Sequence, residues 1–189
     1  MNYLSSLDTA SQSIFWPKEN TFTKQVFIIL AGVFLLALAS QLSIPLQPVP
    51  LTFQSATVIL IGIACGARLG SYVIASYLIA GACGLPVFAD FSAGISHFFG
   101  PTGGYLIGFL PAAALSGALA QKGFARSILG SFIAACLGVC IIFLLGVSVL
   151  SIFVGWHKAI TFGIMPFILS EPLKLIAVAL IAPRFWKKI

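Results

Sequence analysis

The sequence predicts an all-α fold: a polytopic membrane protein built as a bundle of six transmembrane helices, with a long irregular outer loop between helices 3 and 4. Three observations predict it. The 189 residues are 60% hydrophobic and only 7% charged, with a mean hydropathy of +1.11, whereas soluble domains carry about 25% charged residues. No charge lies between Lys24 and Arg68 or between Arg126 and His157. The basic residues flank apolar runs instead of forming a patch, so the net charge of +6 points to a membrane and no nucleic acid.

A spanning helix needs about 20 mostly apolar residues. Residues 1–20 are polar and lack the basic-then-apolar build of a signal peptide, so the first apolar run is read as a retained span. The expected division is a cytoplasmic N-terminal segment, 1–22, and one six-helix membrane domain, 23–189. The first span covers 23–41 and stops at the Pro-rich run 44–51, where prolines remove donors and force extended backbone. The second span covers 52–65, the turn 66–70 carries Arg68, and the third covers 71–83.

Residues 84–104 hold five glycines, two prolines and Phe88, Phe91, Phe98 and Phe99. Such backbone cannot face lipid, so it should cap the bundle or line a cavity. The fourth span is expected at 101–120 and the fifth at 128–150. Trp156, His157 and Lys158 are expected in a loop, and the sixth span covers 162–181.

Lys and Arg fix the orientation. With the N-terminus inside, Lys18, Lys24, Arg68, Lys122, Arg126, Arg184, Lys187 and Lys188 are cytoplasmic and only Lys158 is outside. That bias predicts a multi-pass protein of the cell membrane with both termini cytoplasmic. The nearly uncharged outer loops are then built for shape, and a binding site should open outward.

The most informative charges are Glu171 and Lys174, three residues apart in an otherwise apolar segment. A charge at bilayer depth costs at least about 2.5–3.5 kcal/mol, which makes the pair a candidate site. Pro172 between them should kink the span or start a second half-helix. The alternative is a self-satisfied pair at an interfacial helix end. Gly100-Pro-Thr-Gly-Gly-Tyr105 opens the fourth span with amides that attract anionic or carbonyl groups, though on physics alone close helix packing is the better explanation. Gln54 pairs with ligand or with another helix; Asp90 and His97 read as loop residues. No phosphate-binding loop is present. Cys65, Cys83, Cys136 and Cys140 read as packing residues, with no metal or disulfide implied.

Four strings together carry a resemblance: Ile-Pro-Leu-Gln-Pro-Val-Pro-Leu-Thr-Phe-Gln at 44–54, Gly-Leu-Pro-Val-Phe at 84–88, Gly-Pro-Thr-Gly-Gly-Tyr-Leu-Ile-Gly-Phe at 100–109, and Pro-Phe-Ile-x-x-Glu-x-x-Lys at 166–174. From about residue 25 onward the chain resembles the BioY family, the biotin-specific substrate-binding (S) components of energy-coupling factor (ECF) transporters. Where that family usually carries Pro-Gly-Asp, this chain has Leu169-Ser170-Glu171, whose carboxylate reaches one methylene further. The small residues of the first span, Ala31, Gly32, Ala37 and Ala39, do not form the Ala-x-x-x-Ala pattern common in S components.

The resemblance implies biotin as ligand, and a coupling transmembrane protein with two ATPase subunits as partners. Biotin presents two ureido N–H groups, a ureido carbonyl, an apolar bicycle and a carboxylate. Phe53, Gln54, Phe88, Asp90, Phe91, Tyr105, Glu171 and Lys174 are the expected ligand-binding residues, supplying acceptors, donors and aromatic walls. No cofactor, metal or catalytic residue is expected. The alternatives are a small intramembrane enzyme and a stand-alone facilitator; neither a nucleophile–base arrangement nor pore-lining charge rings support them.

Overall fold

The computed structural model describes residues 22–186, so expectations on residues 1–21 and 187–189, Lys18, Lys187 and Lys188 included, lie outside the described residues. Six α-helices follow in order: α1 (Phe22–Gln41), α2 (Gln54–Ala82), α3 (Gly103–Gln121), α4 (Ile128–Val154), α5 (Trp156–Gly163) and α6 (Ser170–Ile181).

The expected second and third spans form one element broken at Gly66, whose φ of 79° and ψ of 172° are not helical. The chain reverses there. A Cβ added at Gly70 would lie 3.0 Å from the Cα of Gly62, and Gln54 Nε2 reaches Tyr77 Oη at 2.7 Å, so the two arms pack antiparallel. The turn is therefore one residue long and not the five residues 66–70, because glycine alone tolerates this backbone at no steric cost. Both arms press close to α3: a Cβ on Gly62 would fall 2.5 Å from the carbonyl oxygen of Ala113. Close approach through small residues is how helices associate in lipid, where no hydrophobic force drives them together.

The arm 54–65 is about 18 Å long at 1.5 Å per residue, short of the ~30 Å hydrocarbon core. A two-stranded hairpin extends it, pairing β1 (Ser43–Ile44) with β2 (Leu51–Thr52) in antiparallel register, Ser43 opposite Thr52. Residues 84–102 follow as two 3-10 turns, Ala89–Phe91 and Ile95–Phe99, joined by irregular backbone. Helix α3 begins two residues later than the expected 101, after Thr102. Ser127 caps α4 by accepting the Gly130 N–H at 3.0 Å.

One expectation is corrected at the C-terminal end. Trp156, His157 and Lys158 do not lie in a loop: α4 runs on to Val154, Gly155 turns the chain at φ 79°, and these residues open α5, which buries Ala159 and Gly163. The last span is broken into two halves, Trp156–Phe167 and Ser170–Phe185, which meet at 47°, so a second half-helix starts beside Pro172 as expected. Pro172 sits in the first turn of α6, where a missing N–H leaves no helical bond unmade.

With the α2 arms counted separately and α5–α6 as one bent span, the described residues make six passes. Their ends place Lys24, Arg68, Lys122, Arg126 and Arg184 at one end of the bundle, and Lys158 at the other with the hairpin and the 84–102 segment. The core is apolar and small-residue rich, including Val58, Ile59, Val73, Ile74, Ala112 and Ala135. Phe27, Leu30, Phe34 and Leu38 of α1 remain exposed, as a lipid-facing surface requires.

Candidate functional site

A half-open cavity of about 520 Å³ sits at the end opposite the basic connections, within the range of small-molecule sites. Residues 45–50 of the Pro-rich hairpin roof it, the 88–97 segment forms one wall, and α3, α4 and α6 form the others.

The floor is polar. Glu171 and Lys174 are each only 6% exposed and form an ion pair within the first turns of α6. The short arm of α2 supplies their partners. Ser55 Oγ stands 3.0 Å from both Glu171 carboxylate oxygens, and Lys174 Nζ donates to the Thr52 carbonyl at 2.8 Å and to Ser55 Oγ at 3.3 Å. With Glu171 Oε1 as its third acceptor, the ammonium has placed all three protons. The ring of Phe53 lies 5.8 Å from Lys174 Nζ, within cation–π range. Glu171 faces the cavity, while Lys174 lies behind it and does not line it.

Gln54 is fixed beside this pair. Its side-chain oxygen accepts from Thr52 Oγ1 at 3.0 Å, its amide nitrogen donates to Tyr77 Oη at 2.7 Å, and Tyr77 donates to the Val87 carbonyl at 2.8 Å.

The walls are aromatic. Phe88 packs edge-on against Tyr77, His97 and Phe98, with ring centroids 5.6, 5.6 and 6.0 Å away. Across from it, Tyr105 meets Phe143, and Phe143 meets Phe167, at 6.0 and 5.3 Å. The Tyr105 hydroxyl donates to the Gly163 carbonyl at 3.1 Å. The end of α1 clamps the loop: Gln41 donates to the Phe88 carbonyl at 2.9 Å and accepts from the Phe91 N–H at 3.0 Å. Ser43 of the hairpin donates to Asp90 at 3.0 Å, tying the roof to the wall.

Of the residues singled out from sequence, Gln54, Phe88, Asp90, Tyr105 and Glu171 converge on this cavity. Phe53 and Lys174 stand behind the floor. Phe91, 71% exposed at a φ of 54°, turns away. Ser55, Thr52, His97, Thr102, Phe109, Phe143 and Phe167 line the cavity without having been singled out as ligand contacts. Small hydroxyls and span aromatics carry no signal in one sequence; only their position one and four residues after the Pro-rich run 44–51 marks Thr52 and Ser55. Among the described residues no cluster of His, Cys, Asp or Glu is arranged to hold a metal.

A charge pair sunk in a membrane bundle is costly unless a partner shares its hydrogen-bonding capacity. An aromatic slot opening onto that pair from one side supplies the place for such a partner, and so defines a substrate-binding membrane protein. The sequence matches the BioY family model over residues 9–189, and the chain belongs to that family. It is 42% identical over 163 residues to the biotin transporter BioY of Thermotoga maritima, covering 85% of this chain and 95% of that one. Against a probable biotin transporter BioY of Pyrococcus horikoshii it is 40% identical over 161 residues, with the same coverages of 85% and 95%. The fold matches the crystal structure of the S-component for biotin from an ECF-type ABC transporter, with a TM-score of 0.77 at 25% identity over 88% of this chain and 94% of that one. The chain is thus a multi-pass membrane transport component and not an enzyme.

Proposed function

We propose that this chain is the biotin-binding S component of an ECF transporter, capturing biotin at the cavity and delivering it across the cytoplasmic membrane with an ATP-driven module. The observation that carries this reading is the buried Glu171–Lys174 pair, braced by Ser55 and opening onto aromatic walls beside the fixed amide of Gln54. Ureido N–H groups require a carboxylate acceptor, which Glu171 offers. The bicycle fits between Phe88 and the Tyr105–Phe143–Phe167 row. The valerate extends toward the mouth under the hairpin, because Lys174 has no proton left for it.

No phosphate-binding loop occurs in the chain, so energy comes from partners: a coupling transmembrane protein and two ATPase subunits. Purified alone, the chain is expected to bind radiolabelled biotin saturably and to hydrolyse no ATP. ATPase activity in a preparation free of partner subunits would overturn the division of labour.

The division into a cytoplasmic segment, 1–22, and one membrane domain, 23–189, accompanies this reading. Both termini face the cytoplasm, supported by the gathering of Lys24, Arg68, Lys122, Arg126 and Arg184 at the end away from the cavity. Single cysteines at Ser92 and Lys122, in a chain freed of its four native cysteines, should react with impermeant reagent from opposite sides. Labelling of both from outside would sink this orientation.

A further inference from the structure

Tyr77 is fully buried and does not line the cavity, yet it is bonded to a residue that does. The polarity of its hydrogen bonds follows from backbone groups, whose donor and acceptor roles are fixed. The Val87 carbonyl only accepts, so the Tyr77 proton points at it across 2.8 Å. The lone pairs of Tyr77 then face Gln54 and accept from its side-chain NH2 at 2.7 Å. The other end agrees. The Gln54 backbone N–H donates to Thr52 Oγ1 at 3.2 Å, and the Thr52 hydroxyl donates to Gln54 Oε1 at 3.0 Å. Both ends of the amide are engaged in this orientation, and one N–H remains for the cavity.

We propose that Tyr77 is a positioning residue that holds Gln54 as a hydrogen-bond donor to the ligand's carbonyl oxygen, and thereby sets the preference for a cyclic urea. The inference rests on the reading that biotin occupies this cavity. Glu171 then accepts from a ureido N–H, while Gln54 donates to the ureido oxygen beside it. This donor–acceptor pair matches a urea edge and penalises a ligand whose oxygen is replaced by a poor acceptor. The same phenol joins the two arms of α2 to the 84–102 segment, so the wall bearing Phe88 and the donor are set together.

Tyr77→Phe isolates the role. The variant keeps the ring and its edge contact with Phe88, and the Val87 carbonyl keeps the Ser40 hydroxyl at 2.7 Å. The acceptor for Gln54 is lost, together with the Tyr77 bond to the Val87 carbonyl, leaving the amide undirected. Titrations into the purified chain should show biotin and desthiobiotin, which share the ureido group, weakened about tenfold, the scale of one directed hydrogen bond. Thiobiotin, in which sulfur replaces the ureido oxygen, should be weakened far less. In a Gln54→Ala background, Tyr77→Phe should have almost no further effect, since its action passes through that amide.

Parallel weakening of all three ligands, additivity with Gln54→Ala, or unchanged biotin affinity would each overturn the role of Tyr77. A wild-type chain that binds no biotin would instead overturn the functional reading on which it rests.

Discussion

Lys174→Ala should abolish biotin binding and destabilise the protein, whereas Lys158→Ala should do neither. Lys174 holds Glu171, Ser55 and the Thr52 carbonyl together in a site where both charges are 6% exposed. Removing it strands a buried carboxylate, a loss of about 3–5 kcal/mol when one partner of a buried pair is deleted. Lys158 is an exposed charge in the first turn of α5 with no such partners. Affinity should fall by at least about a hundredfold, the scale seen when a desolvated charge contact loses one member.

Structural and binding roles then separate in the double replacement Glu171→Leu with Lys174→Met. Apolar residues of similar volume remove both charges at once, so stability should return to or exceed the wild-type level, while biotin binding stays lost. Glu171→Gln should fall between, because its amide oxygen still accepts from Ser55 and Lys174. Thermal unfolding in detergent together with biotin titration reads both quantities. A stable double variant that binds biotin normally would remove the pair from the site.

The second large effect is expected at Gly81, which faces the cavity wall from behind. A Cβ there would lie 2.1 Å from the Phe88 ring, with two further ring carbons within 2.7 Å. Phe88 is 3% exposed and braced by Tyr77, His97 and Phe98, so its ring cannot yield without moving the wall. Gly81→Ala should therefore weaken biotin binding by about tenfold or more, one decade per 1.4 kcal/mol, while leaving the Glu171–Lys174 floor intact. Gly84→Ala is the control for nearby backbone, since its Cβ would meet nothing within 4 Å although its φ of +100° carries strain of its own. Equal losses of affinity at both positions would show that loop strain, and not the seat of Phe88, governs the effect.

Much of this architecture was legible because membranes impose strict rules. Apolar runs bounded by basic residues marked the passes, and three prolines in 44–51 marked the roof. Glu171 and Lys174 stood out because charge is so costly in that setting, and Gln54 because it follows the Pro-rich run. Other features depend on tertiary placement that no local pattern records. Ser55 meets Glu171 across 116 residues, and an isolated serine in a span says nothing of its partner. Phe91 and Phe143 are indistinguishable by composition, yet the left-handed backbone at 90–91 turns one outward while α4 turns the other inward. The half-helix start at Pro172 was legible because proline suits a first helical turn. The angle of 47° between the halves was not, since it depends on how Trp156–Phe167 packs, with Gly163 against Tyr105.

The central claim is that the cavity over Glu171 is a biotin site. The most direct test is mass spectrometry of small molecules released by denaturing the purified chain, expressed in cells supplied with biotin and compared with the Glu171→Leu, Lys174→Met double variant prepared identically. The account predicts biotin in near-stoichiometric amount from the wild-type protein and none from the variant. Biotin absent from the wild type, or equally abundant in both, would contradict it.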